Sequence, residues 1–338
     1  MRVDVFLPSG AGCSVALSPE SSVGELKAEA QRRLSRRCLR LVFGGQPLED
    51  LSSTLSEAGL QEGAAICAVV PPVQIAATRG AFALCVAGGG VVIWGSSVDG
   101  GYGSTVQDQL TRVVQIQANE HAFAAIRHDG TVVTWGDEQF GGDSSQVQEQ
   151  LNRVQQIQAS SGAFAAIRDG GSVVTWGYAT LGGGSSRVQE QLTRVTHIQA
   201  NAGAFAAIRD DGSDVSWGDP DYVCDISQMQ EQLQQVKQIR ASREGGFAAI
   251  RRDGTVVTWG DRDYGGDSSR VQAQLARVQQ IQATLHAFAA LLEDGKVVTW
   301  GDRLQGGDSS EDHQLTQIQE ILTPPTVPLR PFGSMAAW

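Results

Sequence analysis

The chain has 338 residues, enough for two or three domains, and its 41% apolar and 19% charged content is that of an ordinary folded protein. A formal net charge of −11 disfavours nucleic acid and anionic membranes as partners. The N-terminus lacks the apolar core of a secretion signal, and no window approaches the ~18 apolar residues of a membrane span. We therefore expect a cytoplasmic or nuclear protein.

The cysteines form no CxxC pair, and their odd number argues against a disulfide framework. We expect reduced, mostly buried thiols. Cys38, Cys85 and Cys224 carry no local nucleophile signature, and Cys13 and Cys67 complete the set.

Residues 1 to about 70 predict a compact α+β roll. The runs RVDV and SVAL alternate apolar and polar residues, which predicts a β-hairpin. Ser21 or Ser22 can cap a helix through VGELKAEAQRRL, on which Val23, Leu26 and Ala30 share one face. LRLVF, the turn GGQPLED and AAICAVV then predict two further strands.

This order of motifs resembles ubiquitin and ubiquitin-like domains, whose fold is the β-grasp. The resemblance lies in LRLVFGGQPLED (39–50), in STLSEAGLQEGAAICAVV (53–70) and in the spacing of Pro19, Val23 and Leu26. Ubiquitin ends in a Gly-Gly tail that is joined to lysines, whereas here Val-Val runs into Pro-Pro. Gln46 also replaces the turn lysine on which ubiquitin chains are built. The domain is therefore not expected to be a conjugated tag.

The resemblance also implies a protein-binding patch. It maps onto Val42 and Val69, with Pro8 where the family has leucine. The alternative is that Val42 only lies on an exposed strand face.

One sequence pattern recurs six times after residue 72. Each copy has a Phe twelve residues before a Trp-Gly pair and a Gly five residues before the Trp, and the Trp spacings are 41, 41, 41, 42 and 41. The aromatic positions are Phe82, Phe123, Phe164, Phe205, Phe247 and Phe288, with Trp94, Trp135, Trp176, Trp217, Trp259 and Trp300.

A period near 40 fits solenoids, leucine-rich arrays or propeller blades. The AFAAIR-x-DG-TVVTWG pattern predicts strand, two-residue turn and strand, which favours a mainly-β propeller. Ser145 with Gln148 is typical of a capping box, so a helix of two to three turns is expected, then a short strand at Ile157. Regular spacing favours a core role for the Phe and Trp side chains.

The repeat resembles those of the regulator-of-chromosome-condensation family, a propeller usually of seven blades. The family's opening His is found only at His121 and His286, and its segment after Trp-Gly differs here. Six repeats are complete, and QIQEIL near Ile318 begins a seventh without its hairpin. Four alternatives remain for the ring. It closes with six blades, residues 73–77 complete its last blade, it stays open, or the chain is a fragment of a longer gene product.

The sequence therefore predicts three segments: a ubiquitin-like domain (1–72), a propeller of six to seven blades with short helices between them (73–323), and a Pro-rich disordered tail (324–338).

The repeated residues serve packing and turns, and no catalytic motif occurs among them. The Asp-Ser-Ser turns at Asp143, Asp267 and Asp308 are better helix caps than calcium ligands. The arginines after the first strand of each predicted hairpin are expected to pair with nearby acids; they are Arg127, Arg168, Arg209 and Arg251. We expect no metal and no cofactor.

Function is expected where the repeats differ. In the fourth repeat Asp214 interrupts an apolar strand, and Tyr222 and Cys224 replace the Gly-Gly turn. Tyr222 and Tyr102, in the divergent first repeat, are candidate contacts on one rim. Neutral variation in loops is the alternative.

The resulting hypothesis is a non-enzymatic adaptor that links the ubiquitin system to a protein held by the propeller. The resemblance leaves two alternatives: a piece or relative of a HECT-type ubiquitin ligase, without its catalytic Cys domain, and a nucleotide-exchange factor for a small GTPase.

Overall fold

The computed structural model describes residues 1–35, 39–44, 46–48, 50–69, 74–86, 88–223 and 229–309. The chain divides into two compact units, Met1–Gln74 with the turn Val86–Gly90, and Ile75–Cys85 with the residues from Val91 onward. No helix in the described ranges is long and apolar enough to cross a bilayer. We refer to the two as the N-terminal unit and the repeat unit.

The N-terminal unit is a five-stranded sheet with one helix, the predicted α+β roll. Its strands lie in the order β2-β1-β5-β3-β4, with β1 and β5 parallel. The elements are β1 (Arg2–Phe6), β2 (Gly12–Ala16), α1 (Val23–Arg33), β3 (Arg40–Phe43), β4 (Gln46–Pro47) and β5 (Ala64–Val69).

The core of this unit forms between one face of the sheet and one face of α1. Val23, Leu26 and Ala30 are fully buried, as their helical spacing predicts. Val3 and Val5 point to the same core because alternate residues of a strand share a face. The apolar pattern therefore fixes which face of the sheet remains outside.

Ser22, rather than Ser21, begins the helix. Its hydroxyl accepts a hydrogen bond from the Glu25 backbone N–H at 3.1 Å, and the Glu25 carboxylate accepts one from the Ser22 N–H at 3.3 Å. This reciprocal capping box satisfies two backbone donors that the first turn cannot pair internally.

Ser22→Ala is expected to lower the opening free energy of α1 by about 1 kcal/mol, because it removes the cap acceptor. Hydrogen exchange of the α1 amides in the full chain measures this change. Ser56→Ala, at an exposed turn, is the control and should leave the exchange rates unaltered. Equal rates in Ser22→Ala and in the wild type would show that the cap does not stabilise the helix.

The repeat unit contains, within the described residues, six three-stranded antiparallel sheets, as expected for propeller blades. The first strands are β6 (Gln74–Ala77), β9 (Val113–Ala118), β12 (Val154–Ala159), β15 (Val195–Ala200), β18 (Val236–Ala241) and β21 (Val278–Ala283). The second strands are β7 (Ala81–Cys85), β10 (Ala122–Arg127), β13 (Ala163–Arg168), β16 (Ala204–Arg209), β19 (Gly246–Arg251) and β22 (Ala287–Leu292). The third strands are β8 (Val91–Gly95), β11 (Val132–Gly136), β14 (Val173–Gly177), β17 (Asp214–Gly218), β20 (Val256–Gly260) and β23 (Val297–Gly301).

The strand β6 belongs to the first sheet, where it lies beside β7. The idea that residues 73–77 complete the last blade is therefore wrong. The partial seventh repeat at Ile318, the tail 324–338 and Cys38 and Cys224 lie outside the described residues.

Neighbouring sheets pack face to face through two different surfaces. On the third sheet Phe164 and Trp176 point toward the second sheet, where Ala122, Ala124 and Ile126 receive them. The same pairing of a Phe/Trp face with an Ala/Ile face recurs at all five contacts between consecutive sheets. Small residues on one side make room for large rings on the other, which explains the alanines of the repeat.

The helix that was expected to begin at Ser145 is instead a single 3-10 turn, Gln148–Gln150. Ser144, not Ser145, contacts Gln148: its hydroxyl donates to Oε1 at 2.8 Å, while Gln148 Nε2 donates to the Val132 carbonyl at 3.0 Å. Arg153 then adopts a left-handed conformation (φ 51°), which turns the chain directly into β12. A longer helix has no room before that reversal.

The hairpin turn is also longer than predicted. The Arg127 N–H donates to the Thr131 carbonyl at 2.9 Å, so three residues separate the two partners. Gly130, the last of them, has φ 78°. A three-residue turn with glycine in the left-handed region is the next most common hairpin connection.

The loops between first and second strands meet along a common axis. Backbone N–H groups donate from each loop to the next, as from Glu120 to the Ser161 carbonyl at 3.1 Å and from Ser161 to the Ala202 carbonyl at 2.9 Å. Arg243 of the fifth repeat lies 2.9 Å from the Glu120 carboxylate of the second. An ion pair between repeats so far apart in sequence requires the array to curl, as a propeller does.

Candidate functional site

The outer face of the N-terminal sheet carries a row of apolar side chains. Val42 on β3 pairs with Cys67 on β5, and Cys67 pairs with Phe6 on β1. Val69 lies two residues beyond Cys67 and therefore shares its face. We call Phe6, Val42, Cys67 and Val69 the outer patch.

The outer patch is accessible. Phe6 is 45% exposed and Val69 37%, Cys67 is exposed, and Val42 is half-buried. Alternate residues of a strand point to opposite faces of the sheet. The strands that bury Val3, Val5 and the other core residues therefore direct the outer patch away from the core. The structure thus brings Val42 and Val69 together on one open surface.

Pro8 is exposed in the turn between β1 and β2, held by a hydrogen bond from the Leu7 N–H to the Ala11 carbonyl at 2.7 Å. Pro8 lies beyond the end of β1, which ends at Phe6, and β5 separates β1 from β3, the strand that carries Val42. It stays a predicted contact at the margin of the patch.

Sequence reasoning missed Phe6 and Cys67. Phe6 lies over Gly12, where an added Cβ would collide with the Phe6 ring, so this aromatic side chain covers the bare backbone of β2. The alternation of β1 was the signal that could have identified it. The expectation of mostly buried cysteines is wrong among the described residues, since Cys67 is exposed and Cys13 and Cys85 are half-buried.

Polar groups border the patch on the β1–β2 side. Arg2 Nη2 donates to the Ser14 hydroxyl at 2.9 Å, and that hydroxyl donates to the Asp4 carboxylate. Cys13, on the opposite face of β2, pairs with Val5 and packs against the core, and this burial raises the pKa of its thiol. An apolar centre with a polar border is typical of a surface that binds protein.

The two rim tyrosines are not equivalent. Tyr102 is 69% exposed, after the third strand of the first sheet. Tyr222 lies in the short helix α2 (Pro220–Val223), where its ring packs against Gly203 and joins the core between the fourth and fifth sheets. Burial raises the pKa of its phenol. Tyr222 therefore has a structural contact that Tyr102 does not share.

The repeated aromatic pairs stack in every sheet, with ring centroids 5.0–5.4 Å apart. In the second to sixth sheets both rings are buried, as predicted. In the first sheet the core prediction is wrong, because Phe82 is 41% and Trp94 42% exposed.

The arginines after the second strands have the paired surroundings that were expected. Arg127, Arg209 and Arg251 lie 3.5–3.8 Å from the carboxylate two residues ahead. Arg168 instead donates to the side chain and carbonyl of Asn152. Asp143 accepts from the Ser145 N–H at 2.8 Å, and Asp267 from the Ser269 N–H at 2.9 Å, so both carboxylates brace their own turn.

Charged side chains outside the outer patch form ion pairs and small networks. His121 Nδ1 lies 2.8 Å from Asp99 Oδ1, and Glu120 binds both Arg79 and Arg243. No group of three or more metal-ligating side chains occurs among the described residues.

Comparison with known proteins supports the assignment of the first domain. The model of the ubiquitin family matches residues 2–72. The curated proteins include no match. The ubiquitin-like domain is thus confirmed by its sequence family and by its five-stranded sheet and helix.

Solved structures similar to the chain include human WBSCR16 (17% identity, 68% of this chain and 76% of that one, TM-score 0.46). They also include Prp20p from Saccharomyces cerevisiae (17%, 68% and 72%, TM-score 0.42) and the CRINKLY WD40 ectodomain of the Arabidopsis thaliana receptor kinase ACR4 (15%, 69% and 82%, TM-score 0.40). At these scores the likenesses do not bear on function.

Proposed function

We propose that the chain is a non-enzymatic adaptor whose ubiquitin-like domain binds a protein of the ubiquitin system through the outer patch. The observation that carries the proposal is the exposed apolar row formed by Phe6, Val42, Cys67 and Val69 on a fold that matches the ubiquitin family. Solvent-exposed apolar side chains in one contiguous surface favour a protein partner.

The second half of the proposal concerns the repeat unit, which we infer to hold a further protein on its loops. Its described sheets form a support, and the segments between its strands differ most in the first and fourth repeats, which carry Tyr102 and Tyr222. Loops on such a support commonly carry binding residues. Nucleotide exchange and ubiquitin ligation have no observation in the described residues that favours them.

Val69→Asp is expected to weaken binding of a ubiquitin-binding domain at least tenfold, because it places a charge at the centre of an apolar contact. A panel of ubiquitin-associated domains and ubiquitin-interacting helices, titrated against the full chain by biolayer interferometry, measures the affinities.

Leu51→Asp is the matched control. Leu51 is 42% exposed, close to the exposure of Val69, but it lies beside the first turn of α1, where its carbonyl accepts a hydrogen bond from the Gly24 N–H at 2.9 Å, and not on the outer patch. It should leave the affinity unaltered. The proposal fails if the wild type binds no member of the panel, or if both variants lose affinity equally.

A further inference from the structure

The first sheet of the repeat unit exposes an apolar face. Ile75 is 43% exposed, Phe82 41%, Val92 50% and Trp94 42%. The corresponding Ile, Phe, Val and Trp of the other five sheets are at most 7% exposed. We call these four residues of the first sheet the open face.

The other five faces show what the open face lacks. Each is covered by the Ala/Ile face of the preceding sheet. Four of the buried indoles also donate to a carbonyl of the preceding repeat, as Trp176 Nε1 does to Gly141 at 3.1 Å. No repeat precedes the first sheet, so an occupant must supply both apolar cover and a backbone acceptor.

The sequence after the last described residue contains a segment with both properties. Residues 323–338 read TPPTVPLRPFGSMAAW and include one charged side chain, Arg330. Pro325, Pro328 and Pro331 recur at intervals of three. A polyproline II helix has three residues per turn, so these rings form one apolar edge, and its carbonyls remain free to accept hydrogen bonds.

We propose that residues 324–332 dock as a polyproline II helix on the open face of the same chain. Proline rings at this spacing bind surfaces lined by aromatic side chains, and here Phe82 and Trp94 stack at 5.4 Å to form such a surface. The Trp94 indole N–H donates to a carbonyl of the segment, in place of the glycine carbonyl used by other repeats. The tail predicted to be disordered thus covers the end of the array.

The dimensions allow this docking. From Pro325 to Pro331 a polyproline II helix rises about 19 Å, at ~3.1 Å per residue. Three strands spaced ~4.8 Å apart span about 10 Å between the outer two, so the segment crosses the whole sheet. The residues between Ser309 and Pro324 can extend to about 50 Å. A tethered segment also has a high effective concentration, which favours the chain's own tail over a separate peptide.

Hydroxyl-radical footprinting of the full chain, read by mass spectrometry, tests the proposal at single side chains. Trp94 in the wild type should be oxidised nearly as slowly as the buried Trp135. In the triple variant Pro325→Ser, Pro328→Ser, Pro331→Ser, its oxidation should rise about tenfold. Tyr102, which is 69% exposed in the same repeat, should react equally in both proteins.

A second triple variant carries the same number of substitutions on another edge of the helix: Pro324→Ser, Val327→Ser and Arg330→Ser. It should keep Trp94 protected. Light scattering gives the mass of each sample, and protection must not depend on protein concentration.

Three results overturn the proposal. Rapid oxidation of Trp94 in the wild type shows an uncovered face. Equal protection in the wild type and the Pro325/Pro328/Pro331 variant shows that something else covers it. Protection that grows with concentration and with dimer mass assigns the cover to a second copy.

Discussion

Phe164→Ala is expected to lower the free energy of unfolding of the repeat unit by about 3–5 kcal/mol, the usual cost of removing a buried aromatic ring. Phe164 is fully buried between the second and third sheets, and its ring stacks on Trp176 at 5.2 Å. Gly141 approaches that ring so closely that an added Cβ would lie 2.9 Å from it. The site therefore cannot collapse without moving backbone.

Phe82→Ala is the matched control, since Phe82 holds the same position in the first sheet but is 41% exposed. It should cost less than Phe164→Ala, because no other sheet packs against Phe82 among the described residues. Urea unfolding followed by near-ultraviolet circular dichroism compares the two midpoints. Equal losses would mean that the first sheet is packed like the others.

Asp214→Val is expected to stabilise the repeat unit, and more so at higher pH. Asp214 is 2% exposed on β17, facing the fifth sheet, and its Oδ1 has no hydrogen-bond partner among the described residues. The Ser216 hydroxyl donates to Oδ2 at 2.8 Å. The other five repeats have valine at this position, so the space accepts that side chain. An unpaired buried polar atom costs about 1–3 kcal/mol, which the substitution removes.

Ionisation adds a pH-dependent contribution. Burial raises the pKa of Asp214 from 3.8 to about 7. Between these values the folded protein holds a proton that the unfolded chain has lost, so stability falls as pH rises from about 4 to 7 and then levels off. A difference of about three pKa units corresponds to on the order of 4 kcal/mol.

The difference in unfolding free energy between Asp214→Val and the wild type should therefore be smallest near pH 4 and largest above pH 7. Urea midpoints at pH 4, 6 and 8 measure it. Asp214→Asn keeps the shape without the titration, so its stability should lack the fall seen in the wild type between pH 4 and 7. The same fall in the asparagine variant would assign the pH dependence to another group.

Several elements could be read directly from residues. The six Phe/Trp positions and their glycines predicted the sheets, and the spacing of Val23, Leu26 and Ala30 predicted the buried face of α1. These patterns are local: a hairpin or helix face needs only nearby residues of the right period. The sequence predicted only half of the outer patch: it identified Val42 and Val69 but not Phe6 and Cys67.

The repeating unit and its apolar faces follow from the amino-acid sequence, because periodicity and turn residues act over a few neighbouring positions. Which of those faces are buried depends on how the sheets pack against one another. The first and third repeats carry the same Phe and Trp, yet Phe164 is buried and Phe82 is exposed, because burial depends on whether a sheet lies in front. Tertiary structure also explains why a 3-10 turn replaces the expected helix, because the chain must reverse at Arg153 to begin the next sheet.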